Sequence, residues 1–233
     1  MENFVIITGA SKGIGRSIAN TFSLQNWKVI NISRTPCDMA CVNFIADISF
    51  IGWEKELNNN INNLISNPNK ICLVHNAARY EKDTVHKLDV EKYRNTIMVN
   101  LISPSILNQI ILPIMEKGSS IIYIGSTLSS KAVKGSFSYV TTKHACVGMM
   151  KATCQDLDGT GIHTACVCPG FTDTKMLLNH LNHDHNKLEQ IKNSSTAKRL
   201  IEPQEIAELV LYCATHPVIN GSVIHANLGQ IEY

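Results

Sequence analysis

Short apolar runs alternate with longer segments of helical periodicity along the whole chain. Residues 4–8, 28–33 and 70–75 form mostly apolar runs, which are typical of strands covered on both faces of a parallel sheet. Four more runs of this kind are predicted as strands: 42–46, 120–125, 161–168 and 222–226.

The segments between these runs predict helices on the sheet. Apolar residues recur at helical spacing after residue 13, and further helices are predicted over 50–66, 89–116, a stretch ending near 157, and 203–215. The connection 35–41 is too short for a crossover helix. Strands that alternate with helices predict one α/β domain over 1–233, a doubly wound Rossmann-type parallel sheet of about seven strands with helices on both faces.

Composition excludes some classes of function. The chain has 233 residues, 44% of them hydrophobic, and a net charge of +2, so charge gives no reason to expect a nucleic-acid partner. We expect no membrane span, because no window approaches the roughly 20 apolar residues that one needs. The chain opens directly on a core strand, so we expect a soluble, cytoplasmic protein without a membrane partner.

The cysteines and histidines do not predict a metal site. The eight cysteines include no CxxC pair, so we expect buried, reduced thiols rather than disulfides or ligands. Three histidines, His180, His183 and His185, fall in the polar segment 171–200. Its composition is more typical of a mobile substrate lid than of a core element, and we expect no metal there.

A glycine-rich turn follows the first strand. Residues 8–15 read Thr-Gly-Ala-Ser-Lys-Gly-Ile-Gly and lead into a helix, the arrangement that places a phosphate at a helix N-terminus. We expect Gly9 to allow the tight turn, and Gly13 and Gly15 to let the backbone approach the ligand. The turn therefore predicts a dinucleotide site.

The end of the second strand bears on the choice of dinucleotide. An acidic residue there would accept from a free ribose 2′-hydroxyl, but the chain has Ser33 and Arg34, with Lys12 in the glycine turn. Two cations suit a 2′-phosphate, so NADP(H) is favoured, with NAD(H) as the alternative. Arg34 as an ordinary exposed loop residue also stays open.

Two more strand ends carry candidate cofactor residues. Asp47 follows the third strand and either receives the adenine amino group or caps the next helix. The fourth strand ends in His75-Asn-Ala-Ala78, where small residues let the backbone approach a cofactor.

The stretch 125–143 carries the candidate chemistry. Tyr139 and Lys143 are four residues apart, so on a helix they share a face. An ammonium beside a phenol favours the phenolate, which makes Tyr139 a candidate proton donor to a carbonyl oxygen or acceptor from an alcohol. Ser126 would hold the same oxygen. The alternative is a solvated helix face.

Asn100 is a polar residue inside a predicted apolar helix. It lies beside Met98, Val99 and Leu101, and a buried mid-helix amide needs partners. It is a candidate for a water relay or, alternatively, a satisfied core amide.

With these motifs in their order, the chain resembles the classical short-chain dehydrogenase/reductase family over essentially its whole length, in the branch similar to 3-oxoacyl-carrier-protein reductases. The motifs are the glycine turn, Asp47, Asn76-Ala77, Asn100, Ser126, Tyr139 with Lys143, and Pro169-Gly170 with Thr174. The departures are His75, Ala78, Thr141 and Thr142, where the family usually has Asn, Gly, Ala and Ser.

The resemblance implies roles for these residues. Tyr139 would move a proton, Lys143 would bind the nicotinamide ribose, Ser126 would orient the carbonyl, and Asn100 would hold a relay water. The implied cofactor-binding set is Gly9, Ser11, Lys12, Gly13, Ile14, Gly15, Ser33, Arg34, Asp47, Ile48, Asn76, Ala77, Tyr139, Lys143, Pro169, Gly170, Thr172 and Thr174.

The substrate pocket is expected between residues 126–137 and the lid. Its candidate lining is Ser126, Leu128, Val133, Phe137, Tyr139, Met176 and Leu177, which suggests a small or medium, partly apolar carbonyl compound. A 3-oxoacyl thioester stays open as substrate, and a catalytically silent dinucleotide-binding regulator stays open as function. The resemblance also implies a homo-oligomer, a tetramer or dimer.

Overall fold

The computed structural model describes residues 1–65 and 67–231 and contains one parallel sheet. Within this part of the chain seven strands lie in the order β3-β2-β1-β4-β5-β6-β7. Every neighbouring pair is parallel. The strands are β1 Glu2–Thr8, β2 Lys28–Ser33, β3 Val42–Ile45, β4 Pro68–His75, β5 Ser120–Ile124, β6 His163–Pro169 and β7 Ser222–Ala226. The predicted doubly wound α/β fold is confirmed.

The described residues contain eight α-helices. They are α1 Gly13–Leu24, α2 Trp53–Leu64, α3 Val90–Ile97, α4 Ser103–Ile111, α5 Phe137–Asp156, α6 Lys175–His180, α7 His185–Asn193 and α8 Pro203–Thr215. The predicted helix 50–66 begins later than expected, at Trp53, and its last predicted residue, Ser66, lies outside the described residues. The predicted lid segment contains α6 and α7.

The central strands are apolar because each face meets its own core. Ile6 on β1 belongs to a core that includes Leu57 and Leu107 from α2 and α4. Its neighbour Ile7 points to the other core, which includes Phe22 of α1 and Val210 of α8. Successive strand residues face opposite sides, so a strand covered by helices on both sides needs a continuous apolar run.

The predicted long helix 89–116 is interrupted by a wider turn. A π-helical segment, Met98–Ile102, joins α3 to α4, and a 3₁₀ turn follows at Leu112–Ile114. A single π turn inside a helix is commonly found at functional sites. Here it carries Asn100.

The same helical stretch contradicts the expectation that no segment of the chain is apolar enough to span a membrane. Val90–Ile114 is long and apolar enough to cross a membrane, with a mean hydropathy of 1.6 over its most apolar window. Leu107 and Ile111 are fully buried against the sheet, and a core helix passes the same test of length and composition. The stretch is therefore a helix of the fold, and its outer face is largely exposed on the protomer.

The first helix approaches β1 at Gly15 more closely than any side chain would allow. A Cβ built on Gly15 would lie 2.2 Å from the Gly9 carbonyl oxygen and 2.5 Å from Asn76 Nδ2. Both contacts are within the protein, so the absence of a side chain at Gly15 serves helix–strand packing. The expectation that Gly15 lets the backbone approach a ligand stays a prediction.

A chain of hydrogen-bonded polar side chains starts at His75 and runs along one face of the sheet, between the strands and the helices α4 and α5. Its Nε2 donates to Asn108 Oδ1 at 2.8 Å, and Asn108 Nδ2 donates to the Tyr123 hydroxyl at 2.7 Å. The Tyr123 hydroxyl lies 3.0 Å from Thr153 Oγ1, which donates to the Met149 carbonyl. Burial lowers the pKa of the His75 imidazole to about 4, against the opposing effect of the bond to Asn108.

Gly15→Ala should destabilise the protein while Gly148→Ala should not. A methyl group at position 15 would push α1 away from the Gly9 backbone, which should lower the free energy of unfolding by roughly 2 kcal/mol. This loss should lower Tm by about 4 °C or more. Gly148 lies in α5 with nothing within 4 Å of a built Cβ, so alanine there should stabilise by about 0.5–1 kcal/mol. Thermal unfolding of both variants measures this, and equal Tm values would contradict the close packing at Gly15.

His75 should make stability pH-dependent in one window. Because its pKa is about 4 in the fold and about 6.5 when unfolded, the unfolded chain binds more protons between these values. The stability is complete above pH 6.5 and is lost as the pH falls towards 4, by up to about 3 kcal/mol. Urea unfolding of wild type and His75→Gln should therefore diverge over this window, whereas parallel curves would exclude this role for His75.

Candidate active site

A cleft runs along the carboxyl ends of the strands. It has a volume of about 660 Å³ and lies at the neighbouring strands β1 and β4, where the strand order reverses, with loops after β1, β2, β4, β5 and β6 around it. This reversal of strand order is where open α/β sheets bind ligands. Every residue of the predicted cofactor set lines the cleft, as do Ser126, Leu128, Val133, Met176 and Leu177.

The glycine turn presents an open helix end to the cleft. Gly9 and Gly13 have φ values of +76° and +56°, a conformation that L side chains disfavour. In the described structure no side-chain hydrogen bond caps α1 at Lys12, and the first turn holds no acidic residue. The first N–H groups of α1 are thus available for an anion, and the turn fits a dinucleotide pyrophosphate.

Thr8 and Asn76 fix this turn against β4. The Thr8 hydroxyl accepts from the backbone N–H of Asn76 at 3.0 Å and of Ala77 at 2.9 Å. The Asn76 side chain donates to the carbonyls of Thr8 and Gly9 at 2.9 and 3.1 Å. Asn76 therefore shapes the cleft by holding the chain on which Gly9 sits.

Asn31 is a positioning residue that sequence reasoning missed. Its Oδ1 accepts from the backbone N–H of Ala10 at 2.9 Å, while its Nδ2 donates to Asn43 Oδ1 at 2.8 Å. It is fully buried in β2. A lone asparagine within the apolar run 28–33 was the available signal, since a buried amide needs partners.

Cations and one carboxylate meet at the end of β2 and β3. Lys12, Arg34 and Asp47 all line this end of the cleft. Burial acts to raise the pKa of Asp47, but hydrogen bonds from Ser49 and the charges of Arg34 and Arg79 hold the pKa below its ordinary value. Asp47 Oδ1 accepts from Ser49, and α2 begins only at Trp53, so the alternative that Asp47 caps this helix is wrong.

Tyr139 and Lys143 lie together on one face of α5. The Lys143 Nζ is 5.5 Å from the centroid of the Tyr139 ring, and it donates to the carbonyl of Ile124, the last residue of β5, at 2.7 Å. Lys143 is only 5% exposed. The solvated-face alternative is therefore wrong for Lys143.

Buried as it is, Lys143 keeps its charge. Burial acts to lower the pKa of its ammonium, but negative charge at Tyr139 and at the thiols of Cys146, Cys166 and Cys168 acts in the opposite direction, and the net pKa is raised. The lysine therefore supplies a fixed positive charge beside the phenol.

Ser126 is held at the end of β5 by a local turn. Its hydroxyl accepts from the backbone N–H of Leu128 at 3.1 Å, and its own N–H donates to Ser129 Oγ at 3.1 Å. These contacts use the hydroxyl as an acceptor and leave its O–H as a donor towards the cleft.

Asn100 does not line the cleft. Its Oδ1 accepts from the Arg79 N–H at 2.7 Å, and its Nδ2 donates to the Arg79 carbonyl and to Thr142 Oγ1 at 3.0 and 2.9 Å. Both N–H groups of the side chain are used inside the protein, as a satisfied core amide. The side chain thus ties the loop after β4 to α5 behind Tyr139, and does not offer its N–H groups to a relay water.

Phe137 is placed differently from the prediction. It opens α5 and its ring packs on Tyr93, with 6.0 Å between centroids, outside the described lining of the cleft. Because it lies two residues before Tyr139, it points about 200° around the helix from that ring. The expectation that Phe137 contacts the substrate is wrong.

Two rings that were not among the predicted substrate residues form a row that begins at Tyr139. Tyr80 follows β4 and lies edge-to-face with Tyr139 at 5.2 Å, and His180 of α6 lies edge-to-face with Tyr80 at 4.6 Å. Both line the cleft. Tyr80 stands at the carboxyl edge of the sheet, which is a usable signal for a site residue, but nothing in the sequence distinguishes His180 from its neighbours.

All eight cysteines are free thiols in the described residues, and six of them are buried, as predicted, whereas Cys41 and Cys154 are half-buried. The sulfurs of Cys166 and Cys168 lie 3.7 Å apart on β6. A Cβ on Gly125 would come within 2.8 Å of both, so they form the packed floor beneath the turn that presents Ser126.

Comparison with known proteins identifies the family. The family model described as enoyl-(acyl carrier protein) reductase matches residues 9–230. The chain is 28% identical over 249 residues to a 3-oxoacyl-[acyl-carrier-protein] reductase of Staphylococcus epidermidis, covering 99% of both chains. It is 25% identical over 232 residues to carbonyl reductase family member 4 of Xenopus laevis, covering 96% of both.

Comparison with solved structures supports the same family. The ligand-free aldohexose dehydrogenase of Thermoplasma acidophilum superposes with a TM-score of 0.89 at 27% identity, over 98% of this chain and 93% of that one. The chain belongs to the classical short-chain dehydrogenase/reductase family, a family of oxidoreductases. The resemblance inferred from the ordered motifs is confirmed.

Thr8→Val should weaken the cleft by freeing the turn that it fixes. The change preserves shape but leaves the Ala77 N–H without its acceptor, at a cost of about 1–3 kcal/mol, and should weaken binding of a nicotinamide dinucleotide severalfold. Thr164→Val is the matched control, because its hydroxyl donates only to the Ile121 carbonyl, away from the cleft. Fluorescence titration of both variants with a nicotinamide dinucleotide measures the two affinities. Equal affinities for the two variants would contradict the role of Thr8.

Proposed function

We propose that the protein is an NADP(H)-dependent oxidoreductase that interconverts a carbonyl compound and a secondary alcohol, with Tyr139 as general acid and base. The observation that carries this proposal is the buried Lys143 ammonium held 5.5 Å from the Tyr139 ring. Both residues line the cleft that the glycine turn and α1 open to a dinucleotide. The bound nicotinamide supplies or accepts the hydride at the carbonyl carbon.

The protein's own groups then handle the oxygen. In the direction of reduction Tyr139 donates its hydroxyl proton to the carbonyl oxygen, and Ser126 donates a hydrogen bond to the same atom. The charge of Lys143 stabilises the phenolate that Tyr139 leaves behind. A positioned acid of this kind typically contributes ~10²–10⁴-fold to the rate.

NADP(H) is the proposed cofactor, because the end of β2 offers Arg34 and Lys12 and no acidic residue directly after the strand. The one carboxylate on this part of the described lining, Asp47, is turned into a bond with Ser49. A ribose 2′-phosphate would meet these cations. NAD(H) remains the second choice.

A 3-oxoacyl thioester is a second candidate substrate, favoured by the named relative from Staphylococcus epidermidis. Against it, α5 ends in Asp156 with Asp158 just beyond, which gives no basic surface there for an acidic carrier protein. A small-molecule carbonyl compound is therefore preferred.

We also propose that the protein is a homo-oligomer, a dimer or tetramer. On the outer side of the π segment and α4, Ile102 is 41% exposed and Ile106 and Ile110 are half-buried, beside the exposed polar residues Ser105 and Gln109. A partly apolar helix face of this kind suits a second copy of the chain.

Tyr139→Phe should abolish turnover and leave cofactor binding intact. The variant keeps the ring but removes the proton, so kcat should fall by at least ~10²-fold while NADPH affinity changes little. Tyr93→Phe is the control, because Tyr93 packs on Phe137 outside the cleft. Unchanged turnover in the Tyr139→Phe variant would contradict the proposed mechanism.

Arg34→Ala should reduce the preference for NADPH over NADH. Loss of a charged contact to the 2′-phosphate costs about 1.5–3 kcal/mol, so kcat/KM for NADPH should fall at least tenfold with NADH little changed. The matched control is Arg16→Ala, because Arg16 is paired with Asp38 at 2.8 Å. Equal losses with both cofactors would assign Arg34 a structural role.

A further inference from the structure

Three rings from three elements form a continuous wall beside the proposed acid. Tyr139 belongs to α5, Tyr80 to the loop after β4, and His180 to α6. The ring centroids of Tyr139 and Tyr80 are 5.2 Å apart, and those of Tyr80 and His180 are 4.6 Å apart. The interplanar angles are 66° and 82°, the edge-to-face arrangement that aromatic rings prefer. All three line the cleft, and this set is called the aromatic wall below.

Tyr80, the middle ring, is fixed in place. Its hydroxyl lies 3.0 Å from Ser136 Oγ, just before α5. The preceding residue, Arg79, is held at both its N–H and carbonyl by Asn100. Asp83, just beyond, accepts from the Ser138 N–H at 3.1 Å. The ring is therefore positioned before any ligand arrives, and little ordering is needed on binding.

Tyr80 and His180 are both uncharged near neutral pH. Burial raises the pKa of the Tyr80 phenol. Burial, and then the charge of Lys82, lowers the pKa of the His180 imidazole. Near neutral pH both side chains thus present neutral rings to the cleft.

Apolar side chains extend the lining beyond the aromatic wall. Leu128, Val133, Met176 and Leu177 line the same cleft, with the polar Ser126 and Lys143 at the carbonyl end. Among the described lining residues the only carboxylate is Asp47, at the end of β2 and β3. Substrate hydroxyl groups placed against the ring faces and alkyl chains would lose hydrogen bonds to water, which is costly. A flat apolar group would not incur this cost.

We propose that the aromatic wall selects a planar, conjugated carbonyl compound, an aryl ketone or aldehyde, with Tyr80 and His180 as the specificity-determining residues. This inference rests on the proposed carbonyl chemistry of the same site. The carbonyl lies at Tyr139 and Ser126, and the aryl ring extends along Tyr80 towards His180. Neither Tyr80 nor His180 takes part in proton transfer.

The test compares acetophenone with cyclohexyl methyl ketone. The two have the same carbon skeleton, but only one has a flat ring. The quantity measured is the ratio of their kcat/KM values with NADPH, and because intrinsic reactivities cancel, the change of this ratio between variants reports on the wall alone.

Tyr80→Leu and His180→Leu should each lower the ratio about fivefold, as expected for loss of a ring contact, with the cyclohexyl substrate changed less than twofold. Tyr80→Phe should retain the ratio, because it keeps the ring. Phe137→Leu should also retain it, because that ring packs on Tyr93 outside the cleft. His180→Leu provides an independent test if Tyr80→Leu does not fold.

An unchanged ratio in folded Tyr80→Leu and His180→Leu would overturn the inference. So would turnover of aliphatic or sugar carbonyls by the wild type with none of acetophenone. If the wild type consumes NADPH with no carbonyl compound of any class, the proposed function itself fails, and these outcomes are distinguishable.

Discussion

A single buried charge organises the active-site end of this molecule. Lys143 is 5% exposed, and an ammonium placed so deep is stable only with partners. The Ile124 carbonyl at 2.7 Å provides one and the adjacent phenol of Tyr139 another. The constraint requires α5 to lie directly over the ends of β5 and β6, and so it sets where Ser126 and the cleft are.

A second set of polar bonds holds the dinucleotide end of the cleft. Thr8, Asn31 and Asn76 bond the glycine turn to β4 and β2 through backbone atoms. None of them needs a ligand to do so. The cleft is thus preformed, with the N-terminus of α1 left open for an anion.

The sequence predicted the sheet and most of the lining because both depend on local patterns. Buried strands show as apolar runs, and a glycine turn before a helix shows in eight residues. The positions that the sequence left open or misplaced depend on contacts distant in sequence. Asn100 finds its partners in Arg79 and Thr142, and the ring of Phe137 packs on Tyr93. Spacing alone predicts neither contact.

The aromatic wall also depends on contacts that the sequence does not predict. Tyr80 and His180 are about a hundred residues apart, and only the docking of α6 brings them together. That Tyr80 lies beside Tyr139, and His180 beside Tyr80, is a property of the tertiary structure. The sequence motifs therefore predict the chemistry of the site better than they predict its substrate.

Isotope transfer tests the central mechanism most directly. Wild-type protein would be incubated with a panel of ketones and NADPH that carries deuterium at both C4 positions, and the product alcohols analysed by mass spectrometry. The proposed mechanism predicts one deuterium on the former carbonyl carbon. Oxidation of NADPH without deuterium in any alcohol would contradict it.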